Sequence, residues 1–226
     1  MARLTSIIMT AYNQTPFQVH MTMAAIANIT RYTNPEEYEL ILMSDSEKAP
    51  VRDDYKVLKI DRYERTQGLG YTASMNKGAS YAKGDYLVFI QNDVFVWENW
   101  LPDLRDYLEM EICECIIPDQ VPRDRDFVLR SYEMDHIECM KHGSRDEGLL
   151  MITAKAFKRT GGFDEDLSLL QARNFYHKMA SAGVVQKDTC RVMITHIMAA
   201  TNLWRLHEKP EEYDRMMKED AKKLNA

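Results

Sequence analysis

A continuous apolar run near the middle of the chain constrains its fold more than any other feature. Every position from Tyr86 to Ile90 is apolar or aromatic, and the polar residues Gln91, Asn92 and Asp93 follow at once. A strand without polar alternation is typical of the centre of a parallel sheet, where helices cover both faces. The run is far shorter than the roughly 20 apolar residues of a membrane span. It therefore predicts an internal strand of an α/β sheet that ends in a polar turn.

Strand and helix patterns alternate over the first 95 residues. Apolar, β-prone runs predict strands at 4–10, 38–43, 55–60 and 86–90. Thr15 and Pro16 are a typical helix start, and Gly84 is a typical stop for a second helix over about 72–82. This alternation predicts a doubly wound, mostly parallel sheet with right-handed crossovers and flanking helices. Ligands of such sheets bind outside the carboxyl ends of the strands.

The rest of the chain is more mixed and contains no linker, repeat or low-complexity stretch. Further strands are predicted at 114–118, 149–153 and 192–195, and further helices at 155–160, 168–182 and 210–224. We therefore predict a single domain over 1–226. The segment 206–226 is expected to form an amphipathic C-terminal helix that packs on the domain or on a partner subunit.

Composition excludes several classes of protein. The 226 residues include 35 acidic and 29 basic side chains, for a formal charge of −6, which argues against a protein that holds nucleic acid by phosphate neutralisation alone. No apolar run reaches the length of a transmembrane segment. The four cysteines form no CxxC pair and are expected to be reduced thiols, so a cytoplasmic location is predicted.

Four fragments of the chain, in their order and spacing, resemble the inverting GT-A-fold glycosyltransferases. They are residues 6–13, 40–45, 76–93 and 161–165. The resemblance extends from residue 5 to about 200 and implies a short, single-domain member with the GT-A (Rossmann-like) fold. It also implies that residues 1–95 form the nucleotide-sugar-binding half, 96–205 the acceptor-binding half, and 206–226 the C-terminal helix.

The resemblance implies a nucleotide site at the strand ends. The stretch Ala11-Tyr12-Asn13 matches the segment that lies against the nucleoside base, and Asp45 matches the acid that contacts base or ribose. The alternative for Asp45 is a turn acid, because Asp often bonds its own backbone after a strand. Asn76 and Lys77 fall where the family approaches the diphosphate. Lys77 is equally consistent with a solvated surface lysine.

A divalent cation is also implied. Gln91-Asn92-Asp93 stands where the family has its DxD motif, so Asp93 is the retained metal ligand and Gln91 replaces the other acid. Mn²⁺ or Mg²⁺ prefers carboxylate oxygens and stabilises the charge of a leaving diphosphate. Gln91 remains able to accept from a ribose hydroxyl or a metal-bound water. His196 resembles the late histidine that completes the metal site, and its alternative is a structural role.

The expected general base is the main departure from the family. Inverting transfer needs a base to take the acceptor's proton, and the family's acidic pair falls here at Gln171-Ala172, with no acid anywhere in 167–178. We expect the base in the adjacent cluster, with Asp164 and Asp166 ahead of Glu165. The alternative is that Asp166 or Ser168 caps the following helix.

The leading hypothesis is a metal-assisted glycosyltransferase that moves a sugar from a nucleoside diphosphate sugar, a UDP-sugar first, to a hydroxyl acceptor with inversion. The acceptor stays open among a saccharide, a glycolipid, a protein side chain and a hydroxylated nucleobase. A catalytically silent nucleotide-sugar-binding module is the alternative. A nucleotidyltransferase fits less well, because residues 12–16 lack the glycine-rich, basic phosphate loop typical of that class. A homo-oligomer formed through the C-terminal helix is a further hypothesis.

Overall fold

The computed structural model describes residues 4–45, 58–120, 148–197 and 207–224. Within these ranges the strands are β1 (Thr5–Ala11), β2 (Tyr38–Ser44), β3 (Arg62–Arg65), β4 (Tyr86–Gln91), β5 (Val94–Phe95), β6 (Cys115–Gln120), β7 (Leu149–Thr153) and β8 (Gln186–His196). The helices are α1 (Pro16–Tyr32), α2 (Tyr71–Tyr81), α3 (Trp100–Glu109), α4 (Ala154–Thr160), α5 (Gln171–Ser181) and α6 (Pro210–Leu224).

All eight strands form one sheet in the order β3-β2-β1-β4-β7-β6-β8-β5. The strands β3, β2, β1 and β4 run parallel, with Ile8 of β1 opposite Ile41 on one side and Phe89 on the other. Strand β7 is antiparallel to both β4 and β6. The predicted α/β class is therefore confirmed, and the carboxyl ends of β1, β2 and β4 lie along one edge of the sheet.

Helices cover both faces of the sheet, as the apolar run of β4 predicts. Because side chains alternate along a strand, Ile7 and Val88 face one layer, where they join a buried cluster with side chains of α1 and α3. Ile8 and Phe89 face the other layer and pack with side chains of α2, α4 and α5. The central strands are thus buried on both sides, which fixes the position of the polar residues that follow them.

Helix α1 begins where the sequence predicts. The Thr15 hydroxyl accepts from the Gln18 N–H at 3.3 Å, and the Gln18 side chain accepts from the Thr15 N–H at 3.1 Å. This reciprocal capping box satisfies two of the donors that a helix start leaves without a partner. Pro16 occupies the first turn, where its missing N–H has no consequence.

The predicted strand at 55–60 is wrong in its position. Residues 58–60 are not a strand, residues 55–57 lie outside the described ranges, and the third strand is β3. Leu58 and Ile60 pack against the core as loop side chains. Their apolar character therefore reflects packing and not strand pairing. Among the helices of the described ranges, none combines the length and the apolar character needed to cross a bilayer.

Candidate active site

A pocket of ≈ 340 Å³ opens at the edge where β1, β2 and β4 end. It is lined by residues 10–12, Asp45, residues 68–72, residues 91–93, four residues between 165 and 171, and Met216. Its volume lies in the range usual for small-molecule sites, about 300–1,000 Å³. The pocket brings together six of the residues that the sequence predicts for the nucleotide and metal sites: Ala11, Tyr12, Asp45, Gln91, Asn92 and Asp93.

Asp45, directly after β2, organises one wall of this pocket. One of its carboxylate oxygens accepts from the Thr66 hydroxyl at 3.0 Å and from the Gly68 N–H at 2.6 Å. The other oxygen accepts from the Gly70 N–H at 2.9 Å. Both glycines have positive φ, 84° and 88°, which residues with a side chain rarely adopt. Asp45 thus fixes the glycine loop between β3 and α2, and that loop forms the wall.

A buried polar cluster fixes the turn that follows β4. The Thr22 hydroxyl of α1 donates to Asn13 Oδ1 at 2.9 Å, and Asn92 Nδ2 donates to Thr22 Oγ1 at 2.8 Å. Asn92 Nδ2 also lies 3.4 Å from Asn13 Oδ1. Asn13 is almost fully buried and stands behind the pocket lining, whereas Asn92 lines it. The cluster therefore ties the ends of β1 and β4 together.

Asp93 and His196 meet beside this turn. Val94 pairs with His196 across β5 and β8, and the Ile197 N–H donates to the Asp93 carbonyl at 3.0 Å. His196 Nε2 lies 3.1 Å from Asp93 Oδ1, and both residues are more than nine-tenths buried. The predicted pair is thus brought together, with Asp93 on the pocket wall.

The pair has the chemistry of part of a cation site. A carboxylate oxygen and an imidazole nitrogen both bind divalent ions such as Mn²⁺. Within the described ranges, no group of three or more Asp, Glu, His or Cys side chains is arranged to hold a metal ion. A cation at Asp93 and His196 would therefore need further ligands from a bound phosphate or from water.

On the opposite wall, the loop that follows α4 is held by Asn76 of α2. Asn76 Oδ1 accepts from the Phe163 N–H at 2.9 Å, and Asn76 Nδ2 donates to the Phe163 carbonyl at 3.0 Å and to Glu165 Oε1 at 2.8 Å. Gly162 has a φ of 79°, and a Cβ there would lie 2.7 Å from Asn76 Oδ1. Glycine at 162 avoids both the backbone strain and this close approach, and Glu165, which the same amide binds, lines the pocket.

A comparison of the sequence with protein families identifies the family of this chain. The model for "Glycosyl transferase family 2" matches residues 6–163, well over half of the chain. The chain belongs to glycosyl transferase family 2. The match runs from β1 to the Gly161-Gly162-Phe163 turn, so it includes the glycine loop and the 91–93 turn, whereas α5, His196 and α6 lie beyond it.

Two solved structures resemble this family 2 chain in fold. One is the mannosyltransferase PcManGT from Pyrobaculum calidifontis in complex with GDP-Man and Mn²⁺, with 18% identity, a TM-score of 0.69, and coverage of 92% of this chain and 61% of that one. The other is GalNAc-T7 with UDP, GalNAc and Mn²⁺, with 17% identity, a TM-score of 0.67, and coverage of 86% and 44%. The chain therefore spans less than two thirds of the length of either. At these identities the likeness shows the GT-A fold.

Lys77 of the family 2 chain lies away from the pocket lining. Its Nζ is 3.1 Å from Glu64 Oε1 of β3, and its side chain is 38% exposed. Asn76 likewise contacts the 163–165 loop and does not line the pocket. The role of both residues at a diphosphate stays a prediction.

The three acids proposed as the base occupy different places. Glu165 lines the pocket. The Asp164 carboxylate accepts from the Asp166 N–H at 3.1 Å, a local turn contact of the kind that Asp often makes. The Asp166 carbonyl accepts from Lys223 Nζ of α6. Of the three, only Glu165 is among the described residues that line the pocket.

The start of α5 corrects one alternative and reveals a residue that the sequence analysis missed. The predicted caps, Asp166 and Ser168, do not cap α5, which begins at Gln171 with Leu170 at its N-cap position. The backbone N–H groups of residues 168, 169 and 170 instead donate to one oxygen of Asp220, at 2.9, 2.6 and 3.0 Å. Asp220 belongs to α6 and is 1% exposed.

A signal for Asp220 is present in the sequence. It lies three positions after Met217 and four before Leu224, within the stripe of α6 that is otherwise apolar. Acids are almost never fully buried without a partner, so an acid in such a stripe indicates a buried hydrogen-bonding role. What the sequence does not give is the partner, some 50 residues away in the chain.

Gln171 stands where the family resemblance places an acid. It is buried and lines the pocket together with Ser168 and Met216. Helix α5 has no acidic residue in its first turn. Among the described contacts, the acid that bonds to the backbone at the start of α5 is therefore Asp220 of α6.

Proposed function

We propose that this family 2 chain is a metal-assisted glycosyltransferase that moves a sugar from a nucleoside diphosphate sugar to a hydroxyl acceptor with inversion. The observation that carries the proposal is the pocket at the carboxyl edge of β1, β2 and β4, where Asp45 and its glycine loop face the Gln91–Asp93 turn. This edge is where open α/β sheets bind their ligands.

The nucleoside end of the donor is assigned to the wall built from Ala11, Tyr12 and the glycine loop. Tyr12 offers a ring that can stack on a base. Asp45 has both carboxylate oxygens committed to the loop, so in this proposal it acts by shaping that wall. A UDP-sugar is the first donor to test and a GDP-sugar the second, because the structural neighbours were solved with UDP and with GDP-Man.

Asp93 and His196 are the residues that would hold the cation. Mn²⁺ or Mg²⁺ bound there supplies positive charge that offsets the charge developing on the leaving diphosphate. Asp93 reaches the pocket directly, and His196 supports it from β8 at 3.1 Å. Gln91 brings an uncharged amide to the position of the family's other acid, where it accepts from a ribose hydroxyl or from water.

Glu165 is the base that the geometry favours. The acceptor hydroxyl oxygen forms a bond to the anomeric carbon, the bond from that carbon to the phosphate oxygen breaks, and the nucleoside diphosphate leaves with the bonding electron pair. The hydroxyl proton passes to the Glu165 carboxylate. Asn76 holds Glu165 Oε1 at 2.8 Å, which orients the carboxylate towards the pocket.

The acceptor is assigned to the half of the chain from 96 to 205, and its identity is open among hydroxyl compounds. A reducing, cytoplasmic location belongs to the same proposal. It is supported by Cys113 and Cys115, which are buried in the sheet and α3 layers as thiols. Burial raises the pKa of Cys113 to about 11, which keeps this thiol protonated and unreactive.

The proposal is tested by donor hydrolysis. Purified protein is incubated with UDP-glucose, UDP-N-acetylglucosamine, UDP-galactose and GDP-mannose, and release of the nucleoside diphosphate is measured with Mn²⁺, with Mg²⁺ and with EDTA. We expect release from one donor, dependent on the metal. Release at the same rate in EDTA would contradict the assigned role of Asp93 and His196.

A nucleotide-sugar-binding module without transfer is the second candidate. It is favoured by one observation, the uncharged Gln171 at the position where the family places an acid. This candidate predicts metal-dependent binding of a nucleoside diphosphate with no release from any donor in the panel. The hydrolysis assay therefore separates the two functions.

A further inference from the structure

The segment from 163 to 170 is held between two helices that are far apart in sequence. From one side, Asn76 of α2 binds Phe163 and Glu165, and the Thr72 hydroxyl donates to the Leu167 carbonyl at 3.2 Å. From the other side, α6 contributes Asp220 and Lys223. Glu165 is held by the α2 set, and the α6 set begins at the next residue, Asp166.

The Asp220 carboxylate makes several strong hydrogen bonds to the backbone. One carboxylate oxygen accepts three backbone N–H groups, of residues 168 to 170, and the side chain is 1% exposed. Hydrogen bonds to an ionised acceptor are about twice as strong as neutral ones. The carboxylate also faces the positive end of α5, which favours a negative charge. The N-cap residue of α5, Leu170, makes no side-chain capping hydrogen bond of its own.

The same contact sets one side of the pocket. Ser168, whose N–H is the first of the three bonded amides, and Gln171, which follows the last of them, both line the pocket. Met216, one turn before Asp220 on α6, also lines it. Without the Asp220 bonds, three partly buried N–H groups would lose their acceptor, so this segment would move to find another acceptor or water. Glu165, three residues earlier, would move with it.

We propose that Asp220 is a positioning residue for sugar transfer, which fixes the 163–170 segment so that Glu165 and the Ser168–Gln171 wall face the reacting sugar. This inference rests on the proposed function, since it concerns the chemical step at the same site. Asp220 touches neither donor nor acceptor in this account and acts only through the segment that it holds.

The nucleotide end of the pocket is fixed independently of α6. Asp45 is bonded within residues 45–70, and Asn92 within residues 13–92. Loss of the Asp220 contact should therefore impair turnover while leaving nucleotide affinity in place. A role in folding alone would not separate these two quantities.

The test compares Asp220→Ala and Asp220→Asn with Glu219→Gln in the full chain. Glu219 is the neighbouring acid on α6, and its only described ion pair is an exposed one with Arg215 at 4.0 Å, so it is the matched control. The readouts are kcat and KM for hydrolysis of the donor panel, calorimetric Kd for UDP and GDP with Mn²⁺, and hydrogen exchange of the amides of residues 168–170.

For Asp220→Ala we expect kcat to fall about 10- to 100-fold, the scale of a small misplacement of a catalytic group. The Kd of the nucleotide should stay within about 3-fold, and the three amides should exchange faster than in the Glu219 variant. Asp220→Asn keeps one oxygen that can accept N–H groups, so it should recover part of kcat.

The outcomes separate this inference from the proposed function. A wild-type protein that neither binds nor hydrolyses any of the probes overturns both. An active wild type whose Asp220 variants match Glu219→Gln in kcat overturns the positioning role alone, as does an equal loss of kcat and nucleotide affinity. If Asp220→Ala does not fold, the Asp220→Asn variant is the test. A kcat of this variant equal to that of the wild type overturns the proposal. A reduced kcat with an unchanged nucleotide Kd supports it.

Discussion

The two halves of the pocket are held in place by different means. On the side of β1, β2 and β4, polar residues directly follow buried parallel strands, so the sheet itself brings Asp45 and Asp93 to one edge. On the side of the 163–170 segment, no strand carries the residues that face the pocket. Their positions depend on Asn76 and Asp220, which lie 89 and about 50 residues from their partners in the chain.

We infer that this difference corresponds to a division between nucleotide binding on one side and the chemical step on the other. Both faces of the sheet behind the edge built from strands are buried, and we assign this edge the nucleotide and the cation. The segment held by side chains carries Glu165, to which we assign the proton. Substitutions on the first side should change nucleotide affinity, and those at the proposed cation site should lower turnover as well. Substitutions on the second side should change turnover alone.

The largest effect is expected for Asp93→Ala. Loss of the carboxylate removes one of the two metal ligands that we propose, and donor hydrolysis should fall by about 10²–10³-fold, the scale for removing a group that stabilises transition-state charge. Mn²⁺-dependent binding of UDP or GDP should weaken with it. Donor hydrolysis and calorimetry on the same preparation measure both.

Asp85→Ala is the control for this substitution, because Asp85 is an exposed acid at the amino end of β4, at the other edge of the sheet. If Asp93→Ala hydrolyses the donor at the wild-type rate, Asp93 is not part of the active site.

Glu165→Gln should act on turnover alone. The amide keeps the shape and the contact with Asn76 but cannot take a proton, so kcat should fall by about 10²-fold, at the low end for loss of a general base. The nucleotide Kd should not change. Asp164→Asn is the matched control, since its carboxylate bonds within its own turn. A lower kcat for the Asp164 variant, with a normal Glu165 variant, would assign the base to the other acid.

Asp45→Ala should give an intermediate effect, on affinity. Three donors of the glycine loop lose their acceptor, which costs about 1–3 kcal/mol of stability and loosens the wall assigned to the nucleoside. UDP or GDP affinity should fall about tenfold, or about 1.4 kcal/mol. Calorimetry measures the affinity, and urea unfolding measures the stability. A fall in kcat at unchanged affinity would contradict the division between the two sides.

The smallest effect is expected at Glu114, at the far edge of the sheet from the pocket. Both carboxylate oxygens bind Arg159, at 3.0 and 2.6 Å, and this contact lowers the pKa of Glu114 below its usual range. The stabilisation is therefore present above the ordinary pKa of a glutamate and is lost as the pH falls through the lowered value. Because solvent screens a surface ion pair of this kind, its contribution to stability is small.

Glu114→Gln should accordingly lower the free energy of unfolding at pH 7 and have a smaller effect at pH 3, with wild-type donor hydrolysis. Urea unfolding at the two pH values measures this, with substitution of the exposed Glu98, Glu98→Gln, as the control. A destabilisation of equal size at both pH values would show that the charge of Glu114 is not its cause.

The strand-built side was largely predictable from the sequence. An apolar run followed by polar residues gives both the strand and the position of Asp93, because the direction of a parallel strand fixes where its carboxyl end lies. Strand β3 was misplaced because Leu58 and Ile60 are apolar for packing reasons. Short edge strands such as β3 and β5 carry little periodicity of their own.

The side held by side chains was predicted only in part. The sequence gives the acidic cluster at 164–166, but not which acid faces the pocket, because that depends on the contact between Asn76 and Glu165. It gives α6 as an amphipathic helix, but not the partner of Asp220. Contacts between distant side chains leave no periodic pattern, so reasoning from local pattern does not recover them.

Calorimetric titration of the wild-type protein with UDP and with GDP, each with and without Mn²⁺, shows whether this pocket binds a nucleotide. We expect binding of one nucleotide, with a stoichiometry near one, that depends on Mn²⁺ and weakens in Asp93→Ala. If a folded protein binds neither nucleotide in the presence of Mn²⁺, the pocket between β1, β2 and β4 is not a nucleotide-sugar site.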